Sequence, residues 1–176
     1  MTNARPIVLL AWAAICAASV LGCSKSQKAT PAESSLSATA LSNINAVLSA
    51  YEVVRGALAN DQSDVRTEAL ALASTARSGL GSVPEGLRLP LEELSGASQR
   101  LAELDGTDLR RARSAFGEVS RELIALLTAE PGLQKGLWIY DCPMAEGYSK
   151  WVQSDEKVSN PYMGSEMLQC GKVGEF

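Results

Sequence analysis

Soft sulfur ligands gather in one short stretch of this chain. Cys142, Met144, Met163, Met167 and Cys170 all fall within DCPMAEGYSKWVQSDEKVSNPYMGSEMLQCG. The only other methionine is Met1, and the only other cysteines are Cys16 and Cys23. Histidine is absent from all 176 residues. Thiolate and thioether donors without imidazole select soft ions, above all Cu(I). Two thiolates dominate the affinity of such a site, and thioethers complete the shell without adding charge. Cys142, Met144, Met167 and Cys170 are therefore candidate ligands for Cu(I), with Ag(I) as its chemical relative and Met163 as an accessory donor.

Spacing supports a shared site. Cys142 and Met144 lie two apart on an extended segment, which projects both side chains to one side. The spacing predicts a short helix over Met163–Cys170, closed by Gly171 at the usual C-terminal position. On that helix Met167 and Cys170 share a face, and Met163 sits one turn earlier. Two segments, each with one cysteine and one methionine, would then enclose a single ion.

Blander chemistry competes for the same residues. In an oxidising compartment Cys142 and Cys170 are natural disulfide partners. Such a bridge would stabilise by about 3–4 kcal/mol in the loop-closure estimate. Methionines also serve as adaptable core filler. The two cysteine readings can alternate as redox states, since reduced thiols bind Cu(I) and a disulfide does not. Zinc is poorly served, because a closed zinc site usually takes four Cys or His ligands. Without histidine the usual general base and the Ser–His or Cys–His nucleophiles are excluded, and no phosphate-binding loop is present. The chain reads as a binding protein rather than an enzyme. The acidic residues of 60–64 lack the spacing and glycine of a calcium loop, so they read as a helix junction.

The elements that must position these residues begin after an export signal. Arg5 precedes an apolar run, IVLLAWAAICAA, too short to span a bilayer comfortably. It ends at Val20-Leu21-Gly22-Cys23, a bacterial lipoprotein cleavage pattern in which the cysteine sulfur accepts the lipid. Residues 1–22 are thus expected to be removed and Cys23 lipidated. Ser24, in place of aspartate, favours the outer membrane. Residues 23–35 read as a flexible tether, and residues 36–176 as the folded domain, facing the periplasm. Removing Arg5 leaves 15 basic against 20 acidic residues, a mildly acidic chain. No basic stripe with interleaved aromatics is present, which excludes nucleic acid as a natural partner.

Between Leu36 and Leu127 the pattern is helical. One stripe runs Leu41, Ile44, Leu48, Tyr51, Val54, Leu58; a second runs Val65, Ala69, Leu72, Ala76. Residues 60–63 separate them and offer cap oxygens to the second. Gly79, Gly81, Pro84 and Gly86 mark a loop. A third stripe holds Leu91, Leu94, Ser98 and Leu101, and a fourth Leu109, Ala112, Phe116, Val119, Leu123 and Leu126, with Thr107 as its expected cap. Short connections between comparable helices imply an all-α up-and-down bundle of about four helices. After Pro131-Gly132 the character changes to a short irregular hook. It contains a β-like run at Leu137–Tyr140, core-packing Trp151 and Val152, and an Asn160-Pro161-Tyr162 turn.

In order, that tail shows Cys-Pro-Met, a tryptophan, Asn-Pro-Tyr and Met-x-x-Cys-Gly. It resembles a bacterial periplasmic domain, of unknown function, found in lipoproteins and appended to adaptor subunits of copper/silver efflux systems. The upstream YEVVRGALANDQSDVRTEALALA is similar to the first helical hairpin of that family. The resemblance covers Leu41 to Val173. It implies a helical bundle tied to periplasmic heavy-metal handling, standing alone here. Its partner would be a copper efflux or cuproprotein-assembly component. It carries over to Cys142, Met144, Trp151, Asn160, Pro161, Tyr162, Gly164, Met167, Cys170 and Gly171; the position of Met163 is commonly aromatic in the family.

Overall fold

The computed structural model describes residues 34–176, together with Met1. The expected signal peptide, the lipidated Cys23 and most of the tether lie outside the described residues. Ser34, assigned to the tether, is packed against the folded body. The Ser34 backbone packs so tightly on Gly132 that a side chain at 132 would collide with it.

Four helices follow: α1 Ala38–Ala59, α2 Arg66–Gly79, α3 Glu85–Ala102 and α4 Leu109–Ala129. The apolar stripes form the core, as their 3.6-residue period requires. Ile44, Tyr51, Val54, Leu58, Ala69, Leu72, Leu91, Leu94, Phe116, Val119, Leu123 and Leu126 are buried. Leu41, Leu48 and Leu109, at the edges of the stripes, are only half-buried against it. The all-α bundle expected from the stripes is what forms.

The helix ends depart from expectation in three places. Thr107 does not cap α4: its N–H and hydroxyl both turn back to Asp105, and Asp108 accepts the Arg111 N–H at 3.0 Å instead. Asp64, just beyond residues 60–63, supplies the oxygen at the start of α2. Gly86 is helical, because α3 already begins at Glu85 behind Pro84. Proline cannot donate an N–H, so it is at home at such a start.

Sequence neighbours α1–α2, α2–α3 and α3–α4 pack closely, but α1 and α4 approach each other far less. The C-terminal segment fills that gap. After a 3-10 turn at Pro131–Gln134 come β1 Trp138–Asp141, β2 Lys150–Gln153 and β3 Lys172–Val173. They form an antiparallel sheet in the order β2-β1-β3. The expected hook is therefore more regular than an irregular coil.

The sheet docks through polar and aromatic contacts. The Tyr51 hydroxyl of α1 lies 2.8 Å from Ser120 Oγ of α4 and accepts the Val152 N–H of β2. Burial pushes the Tyr51 phenol far above its ordinary value, so it stays a neutral hydroxyl. Phe116 stacks on Tyr51 with ring centres 5.2 Å apart, and Tyr162, Trp151 and Tyr140 extend the aromatic chain into the sheet.

Candidate metal centre

Cys142 directly follows β1. Its N–H donates to Ser149 O at 3.1 Å, carrying the β1–β2 ladder one step further. Pro143 and Met144 then occupy the middle of a tight turn closed by the Ala145 N–H on Cys142 O. Proline suits the first central position of such a turn because its φ is already set. Cys170 sits two residues before β3, whose register pairs Asp141 with Lys172. One more step along that register brings Cys142 beside the Cys170-Gly171 segment. The two Sγ atoms are 3.2 Å apart, and both cysteines are free. Cys142 is completely buried, whereas Cys170 is half-buried. The neighbouring Cys142 thiol, and then burial, raise the Cys170 thiol above its ordinary value.

The expected helix over Met163–Cys170 does not form. Only Gly164–Glu166 makes a single 3-10 turn, and Met167 leaves it with an extended φ of −146°. Gly164 adopts φ +53°, a left-handed conformation that starts this turn and would strain any side chain. Met167 and Cys170 instead stand at the two ends of another tight turn, with the Cys170 N–H on Met167 O at 2.9 Å. Gly171 is not a helix terminus either. A Cβ there would lie 2.7 Å from the Trp151 ring, so glycine is needed for the chain to pass that buried tryptophan.

Met144 and Met163 face elsewhere. Both line a cleft of about 260 Å³ between α4 and the tail, together with Arg110, Arg113, Tyr162 and Glu166. Neither cysteine nor Met167 is part of its lining. The shared-face argument for Met163, Met167 and Cys170 falls with the helix. The structure brings Cys142 and Cys170 into contact, leaves Met167 one turn from Cys170, and puts Met144 and Met163 on the lining of one cleft.

A polar clamp holds the cysteine-bearing loop: the Asn160 turn was expected from the sequence, its bond to Cys170 and the flanking arginines were not. Asn160 is fully buried and uses its whole side-chain amide. Its Oδ1 accepts the Tyr162 and Met163 N–H groups, and its Nδ2 donates to Cys170 O at 2.6 Å. On either side, arginines from two helices grip the chain. Arg55 of α1, itself paired with Glu52, donates to Ser159 O, and Arg113 of α4 donates to Pro161 O. Asp61 accepts the Ser165 N–H and pairs with Arg113 at 2.6 Å. The hydrogen bonds from Ser165, then Arg113, hold the Asp61 carboxyl below its usual range. Asp61 has φ +61°, a conformation aspartate tolerates better than most residues. It is a helix junction, as expected, and also a latch for the tail. A signal for Arg55 did exist: it is a charged residue at core spacing, four after Tyr51 and three before Leu58.

Among the described residues, no three His, Cys, Asp or Glu side chains converge as a hard-metal or zinc cage would need. No helix among them is long and apolar enough to cross a membrane. Compared with protein-family models, curated proteins and solved structures, the chain matches none.

Proposed function

We propose that this chain is a lipid-anchored envelope protein that binds Cu(I), with Ag(I) as its chemical relative, through the Cys142–Cys170 thiol pair. The observation that carries the reading is that pair: two free sulfurs 3.2 Å apart, on loops fixed by a sheet and a buried asparagine. Facing thiols suit a soft monovalent ion, and no imidazole competes for it. Met167, at the other end of the Cys170 turn and outside the cleft that Met144 and Met163 line, is the thioether left to supplement them. Loading replaces thiol protons, so uptake strengthens as pH rises. Cys142 is fixed in the interior, so the half-exposed Cys170 loop is the part that opens to admit the ion. The protein would sequester copper or pass it to an efflux or cuproprotein-assembly component. Cys23 would anchor it in the outer membrane, facing the periplasm. Cys23→Ser should leave it unprocessed or release it from the membrane fraction.

The direct sulfur contact also favours a second reading, a structural envelope protein whose Cys142–Cys170 pair is closed as a disulfide. One experiment separates them. The full chain with Cys16 and Cys23 changed to serine is reduced and titrated anaerobically with Cu(I) against a chelator. One ion should bind, Cys142→Ser and Cys170→Ser should each abolish most of the affinity, and Met167→Leu should weaken it less. Uptake no greater than that of the Cys142/Cys170 double variant would leave the disulfide reading in place.

A further inference from the structure

The cleft beside the thiol pair has chemistry of its own. Met144 is 61% exposed at the third position of its turn. That place is usually taken by small polar residues or glycine, and an exposed methionine there gains nothing from packing. Core filling therefore does not explain it. Met163, half-buried against the aromatic core, opens into the same cleft of about 260 Å³. Tyr162 lines the same cleft, and its hydroxyl is already committed to Lys150 O. The cleft's two arginines do not make it repel cations. Arg110 lies 4.0 Å from Glu146, and Arg113 is paired with Asp61. Glu166 on the rim has no ion-pair partner among the described residues. Two neutral thioethers and an unpaired carboxylate line this one cleft, a soft donor set with a compensating charge.

The geometry points to a second, solvent-open site for a soft monovalent cation, formed by Met144 and Met163 and separate from the Cys142–Cys170 pair. It deepens the soft-metal reading of the tail while standing on different residues. Thioethers carry no proton to displace, so uptake here does not strengthen as pH rises from neutral, whereas uptake at the thiol pair does. An open thioether site exchanges its cation readily with solution or a partner, and the buried pair retains its own.

The test removes the thiols. The full chain with Cys16, Cys23, Cys142 and Cys170 all changed to serine is held in detergent, labelled at its methionine methyl groups, and titrated with Ag(I). The Met144 and Met163 methyl resonances should shift together along one saturating curve. Met144→Leu or Met163→Leu should each weaken that curve by roughly tenfold or more, since leucine keeps volume and removes the donor. The chain with only Cys16 and Cys23 changed to serine, oxidised to its Cys142–Cys170 disulfide, should give the same titration, which covers the case of a misfolded four-serine variant. Absence of shifts, shifts confined to Met167 or Met1, or movement of only one of the pair overturns the proposal. Silver uptake here with no Cu(I) uptake at the thiols leaves this site standing and removes the other; the reverse result removes this one.

Discussion

The reactivity of the two cysteines is set by their immediate neighbours. Cys170 is the more exposed of the pair, and its thiol is held protonated above its ordinary value by Cys142. In the reduced protein Cys170 should therefore alkylate before Cys142. Its rate–pH profile should rise with a midpoint above the about 8.5 of a free thiol. Mass spectrometry of the labelled peptides reads both. Asn160 sets the position of Cys170 through its Nδ2 bond to the Cys170 carbonyl. Asn160→Asp keeps the acceptor for Tyr162 and Met163 but turns a carboxylate on that carbonyl. We expect Cys170 alkylation to accelerate several-fold while helical circular dichroism is retained. Equal loss of both signals would assign Asn160 a purely structural role. Tyr51 is a neighbouring case in the core. Tyr51→Phe strands the buried Val152 N–H and should cost about 1–3 kcal/mol in urea unfolding.

Among the elements, α4 is the one on which bundle and tail meet. Phe116 is fully buried and touches both Tyr51 of α1 and Tyr162 of the tail. Phe116→Ala should destabilise by about 3–5 kcal/mol, and the midpoints read by helical signal and by tryptophan fluorescence should coincide. Separate midpoints would show that the sheet unfolds apart from the bundle. The turn at Gly164 is the second critical element. Its left-handed φ of +53° disfavours alanine, and a Cβ would run into the Asp61 carboxylate and the Arg113 guanidinium. Gly164→Ala should open the latch, lower stability and raise Cys170 accessibility together. Gly86→Ala, in the first turn of α3 with open space around it, is the control and should be neutral or slightly stabilising.

For the whole molecule, the gap between α1 and α4 makes the C-terminal segment a fifth wall of the bundle rather than an appendage. Arg55 and Tyr51 of α1, Arg113 of α4 and Asp61 of the α1–α2 junction fasten it. Asp61 gives this fastening a pH dependence. Its carboxyl is lowered in the folded state, so folded protein binds that proton less readily than unfolded chain. The resulting stability is complete above the ordinary aspartate pKa of about 3.9 and is lost as pH falls through the lowered folded value. Acid titration should therefore show Trp151 fluorescence changing in that window. Asp61→Asn should shift or remove the change. Near neutral pH the latch is constant, so any pH dependence of metal uptake there belongs to the thiols.

Periodicity alone determined the four helices, their buried faces and the antiparallel bundle, because apolar stripes at 3.6-residue spacing have one economical way to be buried. Residue chemistry alone also determined that Cys142 and Cys170 would meet the requirements of a soft-ion or disulfide pair. What needed the tertiary structure was the path of the chain between Met163 and Gly171. Local spacing favoured a helix there, but Gly164 is drawn into a left-handed turn, where Asp61 and Arg113 take up the chain, and Gly171 must pass Trp151. Asp61 lies about a hundred residues and Arg113 some fifty residues away in sequence, beyond any local pattern. The same long-range contacts parted the methionines, sending Met144 and Met163 to the cleft on α4 and leaving Met167 with the thiols. The sequence supplied the sulfurs; packing of the tail between α1 and α4 decided which of them lie together.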